Sequence, residues 1–337
     1  MRRLASFAGV IGVALAIGSP FLLSGGDVFD SLRNVSSHVV LVLAAVALFS
    51  ALAKAAKLQL LLQGLGQRIS FFHTFSISLA TDFAFLASPA GAAGYAVNIA
   101  LLRRAGAPWS LATTVVGADQ ALDLLFFAVA VPVAVFCSLG PLADVLPEIS
   151  LRAYVVMLIA FVLGLGVLWS GRRRVLSVVH TVIGKTPWLH SRQEHLQQFL
   201  GEMRTQMLAL LRGNHWSNCA VLMFTAIQWL LRYGALWFVL SELGHRLPFG
   251  FVLVLQAVVL HLAQWTGIPA GGGGADLGLA AALAPWVTKS IMASVLLLWR
   301  FATLYFPLLI GLLSLVALFG SWRVATDLDH LPDDSAR

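Results

Sequence analysis

Residues 249–284 are largely apolar, yet in their middle stands Pro269-Ala270-Gly271-Gly272-Gly273-Gly274-Ala275-Asp276. A soluble loop at such a point would carry several charges. A regular helix cannot run through it, because Gly costs about 1 kcal/mol and Pro about 3 kcal/mol against Ala. Backbone groups cannot be left unpaired in hydrocarbon, so a broken helix between apolar flanks must face protein or a water-lined space. That restricts the chain to few architectures and makes Pro269, Gly271, Gly272, Gly273 and Asp276 candidate substrate-binding residues. A shorter echo, Pro89-Ala90-Gly91-Ala92-Ala93-Gly94, shares the frame P-A-G-x-x-G and adds Pro89 and Gly94. Interrupted hydrophobic segments in corresponding halves point to the binding region of a transporter.

Composition names the solvent. Of 337 residues, 59% are hydrophobic and 11% charged, with a mean hydropathy of +0.87; lipid can cover that much apolar side chain and a soluble surface cannot. The net charge of +7 comes from basic residues clustered between apolar runs. Such clusters orient a protein in a bilayer, and nucleic acid is not an expected partner. Cys137 and Cys219 have no C-x-x-C or metal spacing and read as packing residues. Neither a metal nor a cofactor is expected.

The apolar runs read as spans at Ala5–Leu23 (a retained first helix, not a signal peptide), Ser37–Leu62, Leu111–Cys137, Ala153–Ser170, Trp216–Leu240 and Ile291–Gly320. Phe71–Ala87 and Phe249–Trp265 run into the two Pro-Gly breaks. The segments after them, Tyr95–Leu102 and Leu277–Ala284, are far below the ~20 residues a spanning helix needs, so both hairpins read as re-entrant. With the N- and C-termini in the cytoplasm, Arg2, Arg3, Arg68, Arg103, Arg104, the basic residues of 171–214 and Arg323 all fall inside. The expected organisation is a single membrane domain over 1–337. It comprises a first repeat at 36–137, a connecting span and basic cytoplasmic loop with an interfacial helix at 138–214, a second repeat at 215–320, and a cytoplasmic tail at 321–337.

The repeat extends beyond the glycines. Leu65-Gly66-Gln67-Arg68-Ile69-Ser70-Phe71 matches Leu243-Gly244-His245-Arg246-Leu247-Pro248-Phe249, Lys54 falls on Arg232, and Ala107-Pro108-Trp109 falls on Ala284-Pro285-Trp286. Because one hairpin would enter from the cytoplasm and the other from outside, the fold class expected is an all-α polytopic membrane protein of two inverted repeats.

A charge inside a span costs about 2.5–3.5 kcal/mol even on insertion scales, so its default reading is functional. Asp119 and Asp123 are one helical turn apart and share a face. The repeat maps Asp123 onto Arg300, which predicts that the two lie close enough to pair or to line one polar cavity. Asp276 opens a short helix, where it could cap the helix or meet a ligand. His261 is either bonded within the helix bundle or a proton carrier. The glycine run lacks the G-x-x-x-x-G-K-[ST] frame and the preceding strand of a nucleotide P-loop, although an anionic lipid headgroup fits its donors. In 190–212, Leu196, Phe199, Leu200, Met203, Met207, Leu210 and Leu211 form one stripe, which predicts an interfacial helix on the inner leaflet assisted by Arg172–Arg174.

These residues resemble the lysylphosphatidylglycerol synthase transmembrane-region family of flippase-like membrane proteins. The likeness covers nearly the whole chain. Its marks are a P-x-G-x-G-x-x-acid motif at Pro269, Gly271, Gly273 and Asp276, and an aromatic-Arg step, Trp299-Arg300, followed by Pro307 and Gly311. Pro89, Gly94 and Asp123 resemble the first-half counterpart. The chain departs from the family pattern with Ala270 in place of Gly, Asp276 in place of Glu, and Tyr95, Asn98 and Gln120 at positions often charged. The resemblance implies a protein of the bacterial inner (cytoplasmic) membrane that translocates or handles a phospholipid, glycolipid or hopanoid-class amphiphile, without the soluble synthase domain and without enzymatic activity. Membrane lipids are the expected partners. The alternative is a scaffold that recruits a cytoplasmic lipid-modifying enzyme through residues 171–214.

Overall fold

The computed structural model describes residues 35–145, 193–264 and 266–329. The predicted spans Ala5–Leu23 and Ala153–Ser170, the Arg172–Arg174 cluster and the last residues of the tail lie outside them. Within the described residues every regular element is helical. The order is α1 (Ser37–Gly64), α2 (Phe71–Leu86), a 3-10 turn (Pro89–Gly91), α3 (Ala92–Arg104), α4 (Trp109–Val145), α5 (Gln193–Arg212), α6 (His215–Glu242), α7 (Phe249–Gln264), a second 3-10 turn (Pro269–Gly271), α8 (Gly274–Leu283), α9 (Lys289–Arg300), a π turn (Phe301–Tyr305) and α10 (Phe306–Asp329).

Residues 37–64, 109–138, 215–242 and 291–320 are helices long and apolar enough to cross a bilayer. Twenty-eight residues rise about 42 Å, against a hydrocarbon core of about 30 Å. At most 33% of any of these apolar windows is buried in protein, and Leu41, Phe72 and Phe136 point outward. Lipid covers what the protein does not. The chain is an all-α polytopic membrane protein.

Helix ends follow from the matched sequence. Leu65-Gly66 closes α1 and Leu243-Gly244 closes α6 in the same way, with Gly66 at φ 76 and Gly244 at φ 87. Gln67 N–H then donates to Leu62 O at 2.9 Å, and His245 N–H to Leu240 O at 2.8 Å. This is the left-handed glycine cap that satisfies the last carbonyls of a helix. At the other ends, Ser36, Ser70 and Asn214 side chains accept from backbone N–H groups of the first turns of α1, α2 and α6.

The two halves carry the same elements. Helices α1 and α6 start and stop at positions 178 residues apart, and so do α2 and α7. Ala90 (φ 50, ψ 19) and Ala270 (φ 53, ψ 17) take the same left-handed conformation inside the two Pro-Ala-Gly turns, at a cost of about 1–2 kcal/mol each for a residue with a Cβ. Contacts are reciprocal as well. Helix α2 of the first half packs along α10 of the second, and α7 of the second along α4 of the first. Both pairs approach closely over a glycine: a Cβ on Gly311 would stand 2.6 Å from Leu79 O, and one on Gly250 2.6 Å from Ala134 O. Helices α1 and α6 form the largest helix–helix contact. There Ser50 Oγ donates to the carbonyl of Gln228, its own counterpart 178 residues on, at 3.0 Å. The two Pro-Ala-Gly turns also pack against each other.

Two large apolar cores stand out among the described residues. One gathers Leu62, Ile77, Leu102, Ala112 and Val115 of the first half; the other gathers Leu236, Leu240, Leu279, Leu283, Leu296 and Trp299 of the second, joined by Val39 and Leu43 of α1. Helix α3 begins three residues before the predicted Tyr95 because Gly91, at φ 72, starts it. Helix α8 likewise begins at Gly274, before the predicted Leu277, because the Gly273 N–H is held by Asp276. Both helices remain too short to span. The two cysteines, expected to serve packing, are free and exposed on helix surfaces. The helix expected within 190–212 is present as α5; Met207 and Leu210 pack on the first core, and Gln206 bonds Thr114 and Ser110 of α4.

Candidate functional site

Ionised side chains gather where the halves meet. Lys57, fully buried on α1, lies 2.6 Å from Asp119 and 2.8 Å from Asp123. The two aspartates, a turn apart on α4, thus converge on one ammonium. The indole N–H of Trp229, on α6, donates to the same oxygen of Asp123 at 2.8 Å. On the other side the Gln120 amide donates to Asp119 at 3.2 Å and its carbonyl accepts from the Tyr95 hydroxyl at 3.1 Å. Tyr95 and Gln120, the neutral residues at commonly charged positions, therefore satisfy each other. Three elements of the first half and one of the second supply this chain of bonds. Desolvating such charges is repaid only when each is paired and hydrogen-bonded, as here.

A second group locks the glycine break. Arg300 donates to Asp276 through Nε at 2.6 Å and through Nη2 at 2.9 Å, a fork-on-carboxylate pair. Its Nη1 donates to Ala270 O at 3.1 Å, and Asp276 accepts from Gly273 N–H at 3.2 Å. Asp276 is 0% and Arg300 3% exposed. The guanidinium also lies over the Trp299 ring, 4.7 Å from its centroid. The irregular backbone of 269–274 is thus tied to α9, which is how broken helix survives away from water.

Between these groups, at the crossing of α1 and α6, lies a cleft lined by Ser50, Ala51, Asp82, Arg232, Thr303 and Pro307 among others. Lys54 forms an ion pair with Asp82 at its edge. The π turn borders it because Pro307 has no N–H, and its ring would meet the carbonyl four residues back in a regular helix; widening the turn, with Phe306 N–H reaching Phe301 O, removes that clash. The cleft holds about 30 Å3 of free space, room for about one or two waters. Among the described residues no group of three or more His, Cys, Asp or Glu is placed to hold a metal ion.

The family model for the lysylphosphatidylglycerol synthase TM region matches residues 9–311. The chain belongs to this family. A relative from Archaeoglobus fulgidus, described as a UPF0104 membrane protein, is 22% identical over 265 residues, covering 77% of this chain and 80% of the relative. Both matches are to membrane regions, and the family match carries no catalytic domain.

Within this family frame, the residues singled out from sequence fall into separate places. Pro269, Gly271, Gly272, Gly273, Asp276 and Arg300 form the locked break. Pro89 is exposed at the facing turn, and Gly94 is buried where a Cβ would meet Phe85 Cβ at 2.7 Å. Asp119 and Asp123 form the acidic half of the Lys57 group. The predicted partnership of Asp123 with Arg300 is not what the structure has: Asp123 pairs with Lys57 and Trp229, and Arg300 with Asp276. Equivalent positions in the two halves need not touch; Ser50 and Gln228 do, and so do the two Pro-Ala-Gly turns. His261 bonds the carbonyl of Ala257 on its own helix at 2.7 Å and sets its ring against Phe127 of α4. Gln256 donates to Tyr233 O at 3.3 Å. Sequence reading missed Lys57, Trp229 and Arg232 as site residues. In the sequence Lys54 and Lys57 fall towards the end of the apolar run Ser37–Leu62, yet Lys57 lies about two turns inside α1.

Proposed function

We propose that this chain is a flippase-like protein that translocates or handles a lipid or lipid-linked amphiphile, and that it acts through two inverted halves. The observation that carries the reading is the run of ionised and polar side chains, Lys57, Asp119, Asp123, Trp229 and Arg232, set inside apolar helices at the junction of those halves. Charges in such positions mark pathways for polar groups, and the family supports lipid as the cargo class. The repeated elements, the reciprocal packing and the contact of Ser50 with Gln228 support the two-fold relation. Helices α2 and α3 are 16 and 13 residues long, about 24 and 20 Å, and pack on each other. Each falls short of the ~30 Å hydrocarbon core, which supports hairpins that enter and return on one face. With 215–320 inverted relative to 36–137, both termini face the cytoplasm. The locked glycine break then acts as the rigid tip on which the facing Pro-Ala-Gly turn rests, and chemistry beyond binding is not assigned to it.

The test is lipid movement in vesicles. The purified full chain is reconstituted into liposomes bearing a fluorescent phospholipid, and inner-leaflet label is followed by its exposure to an impermeant quencher. Faster exposure than in protein-free vesicles, lost in Asp123→Asn at equal reconstitution, is expected. Movement equal to that of protein-free vesicles would remove translocation. Removing residues 193–212 separates this reading from the scaffold, since a translocator keeps lipid movement without α5 and a scaffold loses its dock.

A further inference from the structure

Of the cations well inside the apolar helices, Lys54, Lys57 and Arg300 each touch a carboxylate. Arg232 does not. Among the described residues no carboxylate pairs with it, and its recorded contact is with the Trp229 ring, 5.9 Å from the centroid. It stands about three turns, or about 15 Å, from the C-terminal end of α6 and is half-buried there. An Arg held there without an anion is costly, and Arg cannot shed its proton. Its repeat counterpart Lys54 has Asp82 as partner, whereas position 260, the counterpart of Asp82, is Leu. The second half has kept the cation and lacks the acid.

The setting says what the missing anion is. Arg232 lines the cleft at the α1–α6 crossing together with Asp82, whose charge is already met by Lys54. The cleft is therefore net positive. Ser50 and Thr303 hydroxyls there donate to backbone carbonyls, so the guanidinium fork is the free donor set, and that fork matches a phosphate in two parallel bonds. The Lys57 group is one side chain away, since Trp229 donates to Asp123 and sets its ring beside the guanidinium of Arg232.

We propose that the α1–α6 cleft binds the phosphate of an anionic lipid headgroup, gripped by Arg232. The proposal rests on the lipid-handling reading and gives it a substrate class. The free space is too small for a headgroup as it stands, so entry requires the cleft to widen, and the π turn on its wall is the element whose hydrogen bonds are already irregular.

The experiment uses the full chain in detergent, titrated separately with phosphatidylglycerol, phosphatidylcholine and inorganic phosphate, with occupancy read by native mass spectrometry. Phosphatidylglycerol is expected to bind tighter than phosphatidylcholine. Arg232→Gln lowers that affinity about tenfold or more, as loss of a charge-assisted bond does, and Arg232→Lys lies between. Ala51→Leu, which fills the cleft and keeps the Arg, also lowers it, so a poorly folding Arg232→Gln does not decide the matter. Arg204→Gln on α5 changes nothing. Undiminished phosphatidylglycerol binding in Arg232→Gln or in Ala51→Leu overturns the site; displacement of lipid by inorganic phosphate overturns the lipid as its natural ligand. The vesicle assay separates the two readings: wild-type protein that binds phosphatidylglycerol through Arg232 but moves no lipid loses translocation and keeps the site.

Discussion

Replacing Arg300 by Met keeps much of the side-chain length and removes the charge that holds the glycine break. Asp276 has no exposed surface, so its carboxylate would be left in the interior with the Gly273 N–H as its remaining partner in this group. Stranding one member of a buried pair costs about 3–5 kcal/mol. Ala270 O, part-buried, also loses its donor, which adds to the loss. Asp276→Asn strands Arg300 instead, at 3% exposure, but leaves its bond to Ala270 O, so its cost belongs at the lower end. The double variant has no unpaired charge. It should therefore be more stable than the two single losses summed, by a coupling of about 2–3 kcal/mol, the upper part of the range for contacting residues. Equilibrium unfolding in mixed detergent and lipid micelles, followed by tryptophan emission and repeated for all four proteins, gives the cycle. Single losses that add to within about 0.5 kcal/mol, the behaviour of distant sites, would refute the clamp.

Other outcomes follow from the same geometry. Lys57→Met strands Asp119 and Asp123 and should destabilise by about 3–5 kcal/mol; adding Asp119→Asn should recover part of that loss in the same unfolding assay. Gly311→Ala places a Cβ 2.6 Å from Leu79 O and 2.8 Å from Phe83 Cβ, which forces α10 from α2 and should cost about 1–3 kcal/mol. Ala270→Gly relieves a left-handed residue and should raise stability by up to about 1 kcal/mol. Reporter tags after Arg104 and at Asp144, on opposite ends of α4, should lie on opposite sides of the membrane; finding both on one side would end the inverted-repeat reading.

The apolar text alone determined that this chain lives in a bilayer, since nothing else solvates spans such as 37–62 and 291–320, and the ends of α1, α2 and α6 came within two residues because hydrophobic length and glycine caps are local properties, whereas α4 and α10 run eight and nine residues past the apolar text, to Val145 and Asp329. The internal match of Leu65-Gly66 with Leu243-Gly244 was equally legible, because the same capping chemistry needs the same residues. The glycine break was readable as a broken helix for the reason that Gly and Pro act on their own backbone. What the sequence could not show is which charge meets which. Asp123 and Arg300 look paired by symmetry, but pairing depends on which faces of α1, α4, α6 and α9 oppose each other, and that is set by packing between segments as much as 178 residues apart. Only the tertiary structure put Lys57 between two aspartates, closed Arg300 on Asp276, and left Arg232 facing a cleft whose carboxylate, Asp82, is paired with Lys54 instead, because a side chain's partner is decided by distance in space and its periodicity in the chain says only which side of its helix it leaves.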